Sequence, residues 1–345
     1  MPAEASPPNA RRQAARTRLL LAWGAAILVL LIVDIASGAA SLSGRDIWHT
    51  LVNPRSAGTT EHLIVWQLRL PQALMALVTG AALGLAGAEM QTVLDNPLAS
   101  PFTLGISSAA ALGAALSLAL GLRIPGIAPE YAVALNAFVM ALLCSLILDH
   151  AARRMRMAQH GIVLLGIALV FGFNALLALI QLVSDAAALQ SLLYWMMGSL
   201  GGSNWPDVGL LGAVLLASGW LSRRQTWRLT ALRFGEERAA SFGVDTRRVR
   251  RLALMRISLL AATAVALVGV IGFVGLVAPH IARRLWGEDH RWYLPASACT
   301  GALILLGASV CAKQLSSHIE IPVGIVTTLV GIPFFIVVLS RRGPY

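Results

Sequence analysis

The residues able to do chemistry are few, and each familiar arrangement is incomplete. The single lysine, Lys313, is followed by Gln314; a phosphate-cradling loop needs a Gly-Lys-Ser/Thr core, so the chain hydrolyses no nucleotide by that route. Gly105-Ile106-Ser107-Ser108 with His280 and His318 offers a nucleophile and a base for an intramembrane serine hydrolase. No orienting carboxylate accompanies them, and small Gly/Ser patches in apolar segments more often pack helices. His49, His62, His150, His160, His280, His290 and His318 are scattered without the paired spacing of metal ligands, so no metal site is expected. Asp34 and Glu89 lie within or near the end of apolar runs, with no obvious charged partner. Such residues mark ion or proton paths, which is the reading of an ion-coupled secondary carrier. Such a carrier usually shows two matching halves, and no internal repeat is visible.

The elements that must position these residues are membrane helices. Of 345 residues, 57% are hydrophobic and 12% charged, against roughly 25% charged in a soluble domain. Apolar runs near the ~20 residues that cross a bilayer recur along the chain, and in lipid the backbone must satisfy itself, which gives an all-α fold. Ten spans are expected, near 19–37, 64–91, 104–121, 131–149, 161–183, 207–222, 252–271, 274–286, 291–316 and 323–340, with a re-entrant break at Gly272 to Pro279 as an alternative to a clean turn. Residues 1–18 read as a tail and 19–345 as a single transmembrane domain. Asn96-Pro97-Leu98, Pro101, Pro279-His280, Pro322 and Pro333 would break helices. Irregular backbone at membrane depth needs cover from protein or a water-filled cavity, which favours a pathway.

The formal charge of +11 would suit nucleic acid only if gathered on a soluble face. Instead, 22 of the 27 basic residues fall in the tail, the turns around Arg153 and Arg283, the stretch Arg223 to Arg256, and the end at Arg341 and Arg342. Cytoplasmic segments hold such an excess, so both termini are expected on the cytoplasmic side and no nucleic acid is needed. Arg45, Arg55, Arg69, Arg123 and Lys313 remain for the outer side.

Two segments are not spans. Ala187 to Trp205, containing YWMMGSLGGSNW and no basic residue, reads as a short helix at the outer interface. A polar loop at 223–251 contains LRFGEERAASFGVDTRRVRR, in which Gly235 and Gly243 bracket a short helix with a small face, Ala239 and Ala240. That face would admit another protein; the competing reading is a basic loop lying on the membrane.

Six segments in order resemble the FecCD-type permeases of type II ABC importers, a family that includes the cobalamin permease: LRLPQALMALVTGAALGLAGAEMQ leading into NPLASPFTLGISS, YWMMGSLGG, LRFGEERAASFGV, GFVGLVAPHIARR with GEDHR, and EIPVGIVTTLVGIPFF. The resemblance implies a multi-pass permease of the bacterial inner membrane, paired as a homodimer, with two copies of a separate ATPase that carries ATP and Mg. A periplasmic binding protein would deliver a metal chelate, a ferric siderophore ahead of haem and cobalamin. No catalytic residue and no cofactor of the chain's own are implied. Gly235, Glu236, Glu237, Arg238, Ala239, Ala240 and Gly243 match the family's ATPase-coupling helices. Asn96 and Leu98, with Gln159 and His160, match its cytoplasmic gates. Arg69 and Lys313 match two basic residues that dock the binding protein, while the third falls on Gln72. Asp95 stands where the family often has Arg, Ser309 where it usually has Asp, and Ala109 where it has Gly.

Overall fold

The computed structural model describes residues 8–38, 40, 42–53, 58–126, 128–155, 157, 159–315 and 321–340. His318, Arg55, Arg156, Arg341 and Arg342 lie outside the described residues. The described chain is helical: α1 Pro8–Ala36, α2 Gly44–Val52, α3 Thr59–His62, a π-helical turn Leu63–Arg69, α4 Leu70–Val93, α5 Ile106–Leu118, α6 Pro129–Arg154, α7 Gln159–Val183, α8 Ala186–Met196, α9 Trp205–Arg224, α10 Thr226–Leu232, α11 Glu236–Ser241, α12 Thr246–Val268, α13 Val274–Trp286, α14 His290–Leu315 and α15 Val323–Ser340.

Local signals set many of these boundaries. Ser43 and Asp46 form a capping box on α2, and Asp185, Asn204 and Asp245 accept from the first turns of α8, α9 and α12, each satisfying an amide that the helix leaves open. Prolines sit in the first turns of α4, α6 and α9, where a missing N–H is harmless. Gly269 at φ +74° and Gly287 at φ +80° end α12 and α13, in a region open to glycine.

Each of the ten expected spans falls on a helix. Six stretches are long and apolar enough to cross a membrane, Arg12–Ala36, Thr60–Val93, Tyr131–Arg154, Gln159–Val183, Thr246–Val268 and His290–Leu315, so this is a multi-pass membrane protein. α5, α13 and α15 are shorter or less continuous, and α9 carries two arginines at its end. Two boundaries differ from expectation. α1 begins at Pro8, so the second half of the predicted tail is helical. The break foreseen at Gly272 to Pro279 lies at Gly269 to Phe273, where Phe273 takes φ +64°, and α13 runs through Pro279.

The bundle is organised around α4, buried without interruption from Thr79 to Leu94. α14 and α13 pack closest to it, through glycines. A Cβ added at Gly80 or Gly84 would overlap the carbonyls of Gly301 or Ser297 on α14, and one at Gly87 would overlap the Gly275 carbonyl on α13. Pro279 has no N–H to return to Gly275, four residues back, so that carbonyl is available against Gly87. Small residues allow this approach where lipid gives no hydrophobic push. Gly84→Val is therefore expected to abolish the monodisperse folded peak in detergent gel filtration. Gly219→Ala, whose Cβ would meet only Leu85 Cδ2 at 3.9 Å, should elute as the parent does; equal behaviour of the two variants would remove the close approach as the organising contact.

Candidate functional site

At one end of the bundle, where α4, α9 and α13 finish and α12 and α14 begin, the chain gathers its arginines. Between α9 and α12 lies the predicted coupling segment, folded as α10 and α11. Gly235 at φ +94° and Gly243 at φ +80° flank α11, and a Cβ at either would meet open space, so the backbone angle and not crowding calls for glycine here. Ala239 is fully buried and Val244 nearly so, whereas Glu236, Glu237, Arg238 and Ala240 face outward. The small face expected from Ala239 and Ala240 is thus split, because Ala239 anchors α11 to its own bundle. What the segment presents instead is Phe234 and Phe242, 59% and 58% exposed. Sequence reasoning missed them; the Phe-Gly dipeptide repeated eight residues apart was the available signal.

Side chains tie this segment to both predicted gate loops. Glu236 forms an ion pair with Arg250 on α12 and accepts from Gln159 Nε2 at 3.3 Å. Arg250 Nε also donates to the Val93 carbonyl, the last residue of α4, at 3.3 Å. Arg233, just before the first Phe-Gly, lies 3.6 Å from Asp95 and pairs with Glu288. Asp95 takes φ +45°, a conformation that Asp tolerates better than most residues. The charge that departs from the family pattern therefore has a physical account: it faces an arginine of the coupling segment. Asn96 accepts from the Leu98 amide at 2.9 Å and holds the turn, leaving Leu98 41% exposed. His160 is exposed at the start of α7. Behind this surface, the ring of His290 contacts Thr92 at 2.8 Å and Thr230 at 3.1 Å, joining α14 to α4 and α10.

At the opposite end the two predicted docking cations are spent within the chain. Arg69 is 5% exposed and donates to the carbonyls of Ile35, Ala36 and Ala40 at 3.1, 3.2 and 2.5 Å. It caps the end of α1, where carbonyls lack helical donors, so its guanidinium faces inward. Lys313 lies 2.7 Å from Asp34 Oδ2 and donates to the Asp34 carbonyl at 3.2 Å. Gln72 is half-buried in the first turn of α4, and Ser309 is buried one turn before Lys313.

The two intramembrane carboxylates that looked unpartnered in the sequence both have cations. Asp34 has Lys313, and Glu89 receives Arg256 Nε at 3.2 Å and Nη2 at 2.8 Å, both side chains buried. Arg256 thus belongs to the core and not to the basic loop. Neither acid is left as a lone proton carrier. Ser107 is packed inside α5, and His280 lies edge-on to Phe334 at 6.2 Å. Among the described residues no group of three His, Cys, Asp or Glu comes together.

Irregular segments meet on the Tyr194 side of the bundle. Ser199 N–H donates to the Val268 carbonyl at 2.9 Å and Gly324 N–H to that of Gly198 at 3.2 Å. This joins YWMMGSLGG to the end of α12 and the start of α15. A cavity of about 360 Å³ follows, lined by Phe102, Met197, Phe273, Gly324, Thr328 and Leu329, beside a larger one of about 930 Å³ reaching Tyr131, Tyr194, Asn204 and Asp207. Broken backbone bordering open space is the arrangement membrane depth permits.

A helical membrane body with broken helices bordering cavities and an arginine-rich end with exposed aromatics suits a transport permease. The model of the FecCD transport family matches residues 26–341, and the chain belongs to that family, the permeases of type II ABC importers. It is 38% identical over 320 residues to the vitamin B12 import system permease protein BtuC of Vibrio vulnificus, covering 92% of this chain and 95% of that one. It is 36% identical over 327 residues to the hemin transport system permease protein HmuU of Yersinia pestis, covering 94% and 96%. Among solved structures it resembles one described as an inward-facing metal-chelate type ABC transporter, with a TM-score of 0.83, 28% identity, and 94% and 99% of the two chains covered.

The buried pair yields a stability test. Removing one partner of a buried ion pair leaves an uncompensated charge, at about 3–5 kcal/mol, whereas replacing both by apolar groups is often neutral. Arg256→Met should lower the thermal unfolding midpoint in detergent markedly, and Glu89→Leu with Arg256→Met should recover most of the loss. A double variant as unstable as the single one would show that the pair does not act as a unit.

Proposed function

We propose that this chain is the permease subunit of an ATP-driven importer in the bacterial inner membrane. In this reading all ten helices span, both termini and the arginine-rich end face the cytoplasm, and the positive-inside distribution supports that orientation. Two copies pair as a homodimer over two copies of an ATPase that holds ATP and Mg, and a periplasmic binding protein delivers cargo to the opposite end. The observation that carries the reading is Glu236: this first residue of α11 is joined to Arg250, which reaches the end of α4, and to Gln159 at the start of α7. Movement of α11 by an ATPase seated on Phe234 and Phe242 is thereby passed to both gate loops. The coupling role of Gly235 to Gly243 and the gate role of Asn96, Leu98, Gln159 and His160 are parts of this proposal. Docking of the binding protein falls to surfaces other than Arg69, whose guanidinium caps α1.

The cargo is a metal chelate. Two relatives named for vitamin B12 and hemin transport favour a tetrapyrrole-type chelate; a ferric siderophore is the competing cargo.

In proteoliposomes holding the chain with a cognate ATPase and binding protein, ATP-dependent uptake of cyanocobalamin, hemin and ferrichrome should single out one cargo. Arg250→Met should lower cargo moved per ATP hydrolysed by about tenfold, a coupling change of ordinary size. Arg248→Met, an exposed arginine two residues before, should stay within about twofold by the same measure. Uptake that persists in the wild-type chain without any ATPase would sink the importer reading outright.

A further inference from the structure

A third cavity shares no lining residue with the two described above or with Asn96, Leu98, Gln159 and His160. It measures about 880 Å³ and lies at the arginine-rich end between α1, α4, α9 and α14. Its floor is apolar, formed by Leu20, Leu85, Leu215 and Leu294, and its rim carries Trp220, Arg223, Thr226 and Arg291. The flanking helices turn large apolar side chains outward: Leu21, Leu28, Leu216 and Trp220 are 69%, 58%, 75% and 53% exposed. In a membrane those faces meet hydrocarbon, so the crevice opens sideways to lipid.

We propose that this crevice binds one anionic phospholipid, with an acyl chain along the leucine floor and the phosphate at the rim. The geometry supports each part. Arg224 places its guanidinium 3.6 Å over the Trp220 ring, which holds that indole at the rim, and tryptophan is a residue type enriched at membrane interfaces. Arg223 has no carboxylate partner among the described residues. Arg291 is held by Asp289 at 2.8 Å, so it is oriented but partly neutralised, and Arg223 supplies the larger share of attraction. Planar guanidinium donors match phosphate oxygens, and basic pockets between membrane helices suit anionic headgroups. A small soluble anion would leave the leucine floor and the lipid-side opening unused. Gly219 faces the floor with only Leu85 nearby, leaving width for a chain. The inference rests on the chain lying in a bilayer and is independent of the ATP-driven reading.

The test uses the full chain, purified and delipidated in mild detergent, with native mass spectrometry during titration of dioleoylphosphatidylglycerol or dioleoylphosphatidylcholine. One phosphatidylglycerol per chain should be retained, about fivefold or more tighter than phosphatidylcholine, as expected for a rim arginine acting on an anionic headgroup. Arg223→Ser with Arg291→Ser should bring phosphatidylglycerol down to the phosphatidylcholine level, whereas Arg251→Ser, which removes an exposed arginine of α12, should leave the preference intact. Gly219→Leu, filling the floor with the charges kept, should abolish retention of either lipid; it decides alone if the arginine variants do not fold. Excess glycerol phosphate should not compete, since it lacks the chain. Equal retention of the two lipids by the wild-type chain, or retention that survives Gly219→Leu, would overturn the proposal.

Discussion

Glu89 sits buried on α4, and a carboxylate there is tolerable because Arg256 meets it with two donors. The same constraint recurs wherever polarity is buried. Asp34 is answered by Lys313, and the carbonyls ending α1 are answered by Arg69. With no solvent to satisfy these groups, the helices that carry them are obliged to be neighbours. The pairings therefore join α4 to α12, and α1 to both α14 and the π-helical turn that leads into α4. Glycine does the rest, bringing the backbones of α13 and α14 against α4 so closely that a methyl group has no room.

On this rigid centre the arginine-rich end is built differently. Its ion pairs are partly exposed, Glu236 and Asp95 being open to water on one side, and such pairs hold weakly. Arg233 reaches Asp95, Arg250 reaches the Val93 carbonyl, and Glu236 holds Gln159, while Leu229, Leu232 and Ala239 seat the same segment in the core.

Much of the fold was legible because membrane helices declare themselves by length and apolarity: all ten predicted spans coincide with helices. Boundaries failed where two signals competed. Pro279 looked like a break, but α13 runs through it because the freed Gly275 carbonyl rests against Gly87. For the site, residue type was a poor guide to direction. Arg69 and Ala239 have the character expected of surface contacts and both point inward, and no pattern in one dimension distinguishes a cation that caps a neighbouring helix from one that greets a partner. The partners of Asp34 and Glu89 were invisible for a related reason: they lie 279 and 167 residues away, beyond any local pattern.

The two tethers on the coupling segment differ in what they grasp. Arg250 reaches a main-chain oxygen at Val93, an acceptor that every amino acid supplies, whereas Glu236 holds the amide side chain of Gln159. Replacement of Val93 during evolutionary drift leaves the first grip standing; replacement of Gln159 releases the second. The link to the end of α4 is thus buffered against genetic variation while the link to the start of α7 is open to it, so a related chain can lose the second contact and keep the first.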